Sequence, residues 1–117
     1  IKTDNEGNNT ILGVNTLSGD NVLILRINKG KLEVYDGGDE NVEIASHEDY
    51  NDNYWHHIVY TKLAGLGTLY VDGKSIGTHS INYTLSSDDL WSLGQEYDSE
   101  QRSDYFNGAI DENFQVI

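Results

Sequence analysis

The chain contains no cysteine, no proline and no methionine, and only 7 of its 117 residues are Lys or Arg. Without cysteine there is no disulfide framework, thiolate zinc site, iron–sulfur cluster or thiol nucleophile, and the redox compartment is left open. Four histidines are then the only side-chain nitrogens suited to a metal. Without proline, nothing interrupts a β-ladder. The lack of methionine, with Ile1 leading, is expected of a processed or excised piece, and any signal peptide is expected to lie outside it. Seven scattered cations against 20 carboxylates give a formal net charge of −13. That balance argues against nucleic acid, which needs clustered Lys and Arg, and against an anionic membrane surface. No apolar run approaches the length of a membrane span, so membrane insertion is not expected.

What remains is enough for a core. Hydrophobic residues make up 37% of the chain, with Trp55, Trp91 and eight tyrosines among them, so disorder is not expected despite the charge. No linker, repeat or low-complexity tract divides it, and residues 1–117 read as a single domain. Short alternating or β-branched runs recur at roughly 8 to 12 residue spacing, and no helical stripe appears, which predicts an all-β domain. Residues 21–28 (NVLILRIN) place Leu23, Leu25 and Ile27 on one face and Val22 and Ile24 with Arg26 on the other, as a central strand would. Residues 31–35 follow the Lys29-Gly30 turn and turn Leu32 and Val34 inward. Asp72-Gly73, between candidate strands 65–72 and 74–79, is the strongest hairpin signal, because both central positions of a type I′ turn need positive φ. Further strands are expected over 41–45, 54–63, 90–94, 105–109 and 111–117.

Chemistry-bearing residues gather in loops. Asp49, Asn51 and Asn53 imitate the opening of an EF-hand loop, but its sixth position is Tyr54 and its twelfth Tyr60, where Gly and a bidentate Glu are required. Glu96-Tyr97-Asp98-Ser99-Glu100 has the E-x-D-x-E spacing of concanavalin-like retaining glycosidases. On a regular strand its two Glu would stand roughly 13 Å apart, against about 5 to 5.5 Å between the carboxyls of a retaining pair. No separately tuned acid and base is identifiable, so no catalytic residue is expected. His56 and His57 are neighbours on a presumed strand and face opposite ways, which suits structural roles better than joint chelation. His47 and His79 are isolated, and no nucleophile motif accompanies them.

Four segments, WHHIVYT at 55–61, LYVDGKSIG at 69–77, LWSLGQEYDS at 90–99 and YFNGAIDE at 105–112, resemble in their order and spacing the laminin-G-like and pentraxin-like branch of the concanavalin A-like lectin superfamily. The resemblance implies a two-sheet antiparallel β-sandwich, a jelly roll, in which the first one or two strands of the family are missing from this chain. It also implies a calcium site. Glu96 and Asp98, with the Tyr97 carbonyl between them, match the family's acidic segment, Asp4-Asn5 its upstream pair, and Asp104 its last polar ligand, with Glu100 as a substitute. Calcium takes six to eight oxygen ligands, which such residues supply. The implied function is a non-catalytic, calcium-dependent recognition module of a secreted or cell-surface protein, binding a glycan or another anionic or polyol ligand at residues the sequence does not identify. The alternatives are an adhesive or spacer domain in which calcium only stabilises the fold, and a glycosidase remnant. A second chain or an N-terminal segment is expected to complete the sandwich.

Overall fold

The computed structural model describes residues 1–98 and 101–111, with Asp98 described by its backbone only. The described residues contain strands and no helix. In chain order the strands are β1 (Asn8–Asn15), β2 (Asn21–Asn28), β3 (Lys31–Asp36), β4 (Asn41–Asp49), β5 (Ile58–Leu63), β6 (Leu66–Val71), β7 (Lys74–Ser80), β8 (Leu90–Leu93), β9 (Glu96–Asp98) and β10 (Gln101–Ser103). They form a five-stranded sheet of order β4-β3-β2-β1-β8, a three-stranded sheet β5-β6-β7, and the two-stranded hairpin β9-β10, with every pairing antiparallel.

Three hairpins turn on two residues with positive φ at both positions: Lys29-Gly30, Ala64-Gly65 and Asp72-Gly73. This is the geometry whose twist matches the flanking strands. β2 is the middle strand of its sheet. Leu23, Leu25 and Ile27 point from it into the core, where they meet Leu32 and Val34 of β3, Ile44 of β4, and Leu69 and Val71 of β6. A fully buried aliphatic side chain of this kind contributes about 1.5 to 3 kcal/mol. The opposite face of β2 is covered as well. Ile24 is fully buried outside the core cluster, under β9, which packs across β1 and β2.

β1 was not expected as a strand, since NNTILGVN is rich in Asn and carries Gly13. It forms because its amides are satisfied inside. Asn9 and Asn15 are fully buried, and each side chain is hydrogen-bonded at both ends. Residues 54–57, expected to open the strand over 54–63, are not part of β5. They run beside residues 1–3, with Asn53 N donating to Thr3 O and His56 N to Ile1 O. The segment 105–109 contributes one bridge, Lys2 to Ala109, in place of a strand. The strand expected over 111–117 lies outside the described residues except at Asp111. On the sheet edge, β8 leaves Trp91 43% and Leu93 46% exposed. Both lie on the core-facing side, opposite Val14 and Leu12.

Candidate functional site

The residues expected to hold a metal are distributed along β1. At its N-terminal end, Asn5 Oδ1 accepts from Gly7 N (2.8 Å) and Asn9 Nδ2 (3.0 Å), and Asn9 Oδ1 accepts from Asn107 N (2.9 Å). Asp4 beside it is exposed. Next along the strand, the carbonyl of Asp104 accepts from Thr10 N (2.9 Å). Glu96 follows, 4% exposed, with its Cα and Cβ lying directly over Gly13, where a side chain would collide with Gln95 O at 2.7 Å. At the far end, Tyr97 N donates to Asn15 Oδ1 (3.2 Å).

Asn9 and Asn15 are six residues apart on an extended strand, a separation of about 20 Å. Asp4 and Asn5 therefore do not join Glu96, Tyr97 and Asp98, and Asp104 sits between the two groups. The physical reason is that β1, absent from the sequence expectation, spaces these loops out. Among the described residues no three Asp, Glu or His side chains converge as a metal group.

A second Asp-Asn pair, overlooked in the sequence, lies where the first was expected. Asn21 Oδ1 accepts from Asn15 Nδ2 (2.8 Å), so Asn15 ties the start of β2 to the backbone of β9. Asp20 precedes Asn21 and is exposed, its carboxylate accepting from Ser18 Oγ (3.2 Å). The signal was present, as an Asp-Asn pair at the entry of the most apolar strand. The donors around β9 are carboxylate, amide and carbonyl oxygens, a set whose chemistry suits a hard cation.

Two of the four histidines, His56 and His79, have structural surroundings, whereas His47 and His57 are exposed. His79 is buried. Its Nε2 lies 2.8 Å from Tyr60 Oη, which is 3.3 Å from Tyr83 Oη, and its Nδ1 lies 3.1 Å from Ser80 O and 3.6 Å from Asp36 Oδ2. Since a carbonyl only accepts, a neutral ring carries its proton on Nδ1 and takes the Tyr60 hydroxyl at Nε2. His79 is thus connected, contrary to expectation, but its Asp and Tyr partners do not make a nucleophile. Burial pushes the Tyr60 phenol far above its usual range, reinforced by the Tyr83 hydroxyl. Asp36 uses its carboxylate to accept from Gly38 N (2.9 Å) and Asn82 N (2.7 Å), pinning the turn after β3 to the segment after β7.

His56 bridges two carboxylates, with Nδ1 2.8 Å from Asp72 Oδ2 and Nε2 2.8 Å from Asp52 Oδ1, and Tyr50 packs edge-on against the ring. The imitation EF-hand disperses, with Asp49 paired to Lys31 Nζ (2.7 Å) and Asn51 Nδ2 donating to Asn5 O (3.3 Å).

Two antiparallel sheets closing on one apolar core, with loops and a hairpin carrying the polar groups at their margin, define a lectin-type β-sandwich. A laminin-G-like family model, described as concanavalin A-like lectin/glucanases superfamily, matches residues 1–113, and the chain belongs to that superfamily. No curated protein matches the sequence. Laminin-G-like domains are generally non-catalytic and typically extracellular, and no described helix is long and apolar enough to cross a membrane.

Proposed function

We propose that the chain is a non-catalytic recognition module of a secreted or surface protein that binds a glycan or another oxygen-rich ligand through a calcium ion beside β9. Glu96, Asp98 and the Tyr97 carbonyl would hold the ion together with Asp20 and Asn21. Asp4, Asn5 and Asp104 have no part in this set. The observation that supports this placement is Asn15, whose one side chain reaches both Asn21 and the Tyr97 amide. Calcium would supply fixed positive charge and coordination positions for hydroxyl, carboxylate or phosphate oxygens. The non-catalytic part of the reading rests on Glu96, which is 4% exposed and packed on Gly13. An acid or base must reach its substrate.

The test is thermal unfolding with excess calcium and with chelator for the native chain, Asp98→Asn and Asp4→Asn. At a hundredfold excess over Kd the ion stabilises the native chain by about 2.7 kcal/mol, an effect that Asp98→Asn removes and Asp4→Asn leaves intact. No calcium response in the native chain refutes the cation part of the reading. Trp91 and Leu93, exposed on the edge strand β8, favour a second reading as an adhesive or spacer domain completed along that edge by another segment or chain. Binding to an arrayed glycan in calcium separates the two, since a spacer gives stabilisation without retention.

A further inference from the structure

At the opposite end of β1 from β9, an open cleft of about 300 Å³ is lined by Lys2, Asp4, Asn53, Trp55 and Asn107, with Gly108 and Ala109. The backbone of this cleft is fixed on every side. Asn53 N donates to Thr3 O (2.9 Å), Lys2 and Ala109 exchange both amide bonds (2.9 and 2.8 Å), Thr3 Oγ1 donates to Asn107 O, and Asn107 N donates to Asn9 Oδ1 (2.9 Å). Gly108 closes the floor, since a Cβ there would stand 2.2 Å from Lys2 O. Asn53 is held with φ at 62°, a conformation that few residue types accept.

The polar heads are in the opposite condition. Among the described residues, the Asp4 carboxylate, the Lys2 ammonium, the Asn53 and Asn107 amides and the Trp55 indole N–H make no hydrogen bond or ion pair, while Trp55 is 55% exposed. A rigid frame that presents unengaged donors and acceptors beside a flat apolar ring has the makeup of a small-molecule site, at the lower end of the usual size.

We infer that this cleft binds the ring of a neutral sugar without any metal. The indole offers its face to the C–H face of a pyranose, and side-chain amides both donate and accept, as vicinal hydroxyls require. Asp4 accepts and Lys2 donates at the margin. A chain of net charge −13 repels acidic sugars and phosphates, which selects a neutral ring. The volume holds a single ring, with the rest of the glycan in solvent. This inference is independent of the calcium reading, because the two places lie at opposite ends of β1.

The experiment is a glycan array probed with the labelled chain in chelator, followed by tryptophan fluorescence titration with the methyl glycoside of the retained terminal sugar. Three variants are compared with the native chain. Trp55→Ala removes the ring, Asn53→Gly removes an amide at a backbone angle that glycine accepts, and Trp91→Ala removes the exposed tryptophan of β8. Trp55→Ala is expected to weaken binding about tenfold or more, Asn53→Gly to weaken it measurably, and Trp91→Ala to leave it unchanged. Absence of any retained neutral glycan in chelator overturns the inference, as does retention that Trp55→Ala and Asn53→Gly both leave unaltered. Retention that appears only when calcium is restored also overturns it, and supports the cation site instead.

Discussion

Replacing His56 with Gln should remove a pH-dependent part of the stability. The ring stands between two carboxylates at 2.8 Å, with its side chain 11% exposed while those of Asp52 and Asp72 are 41% and 50% exposed. Both ring nitrogens donate only when the ring is protonated. Burial pulls the His56 pKa down, but the hydrogen bonds to Asp72 and Asp52 and their charges outweigh it, and the net shift is upward from 6.5. For Asp72 the His56 hydrogen bond is the largest cause of a downward shift, helped by the His57 amide. Asp52 is also lowered, its slight burial being outweighed by the bond to His56.

A raised histidine pKa stabilises fully below its unfolded value of about 6.5 and loses that contribution as pH rises through the higher folded value. Lowered aspartate values act in reverse. Their contribution is present above about pH 4 and is lost as pH falls through the folded values. The clamp is therefore strongest between about pH 4 and 6.5 and weakens on both sides. Because the carboxylates are solvent-exposed, each pair is worth a few tenths to 1 kcal/mol, about 1 kcal/mol for the two together. That corresponds to roughly 4 °C in melting midpoint. Urea unfolding of the native chain and His56→Gln at steps from pH 5 to pH 9 measures it, since the difference cancels every other titrating group. The difference should shrink by about 1 kcal/mol towards pH 9. A constant difference over that range would show that the ring acts by packing on Tyr50 alone.

Gly38→Ala should leave little folded protein under ordinary conditions, because the added Cβ would lie 1.9 Å from the carbonyl oxygen of Asn82, a collision with backbone that no rotamer relieves; circular dichroism against temperature reports it. Asp36→Ala strands the amides of Gly38 and Asn82, each costing about 1 to 3 kcal/mol when buried. A loss of about 2 to 6 kcal/mol in denaturant unfolding is expected, and a loss below 1 kcal/mol would mean that water replaces the carboxylate.

The strands that could be read from the chain are those whose own pattern is sufficient. In β2 and β3 a two-residue period separates faces, and the observed burial of Leu32, Val34 and Asp36 alternates accordingly. At Asp72-Gly73 the turn chemistry is local, and both residues adopt the positive φ it requires. The aromatic segment 54–57 misled for the same reason, since β propensity describes fit to a pleated surface and these residues instead flank residues 1–3. β1 escaped notice because Asn is a poor strand former until partners are brought to its amides. Those partners, Asn5, Asn21, Tyr97 and Asn107, lie up to 98 residues away.

The sequence by itself determined an all-β domain, its central strand and its superfamily, because periodicity, turn residues and motif order are properties of neighbouring residues. It also carried three Asp-Asn pairs, at 4–5, 20–21 and 52–53, that composition by itself does not tell apart. Only the tertiary structure shows which of them lies beside β9. The register of β1 against β2 sets Asn15 beside Asn21, the hairpin β9-β10 brings Tyr97 to the same amide, and the length of β1 carries Asp4 and Asn5 to the other end of the sheet. A long-range hydrogen bond has no signature in either of the segments it joins, so that arrangement became visible only once the strands were side by side.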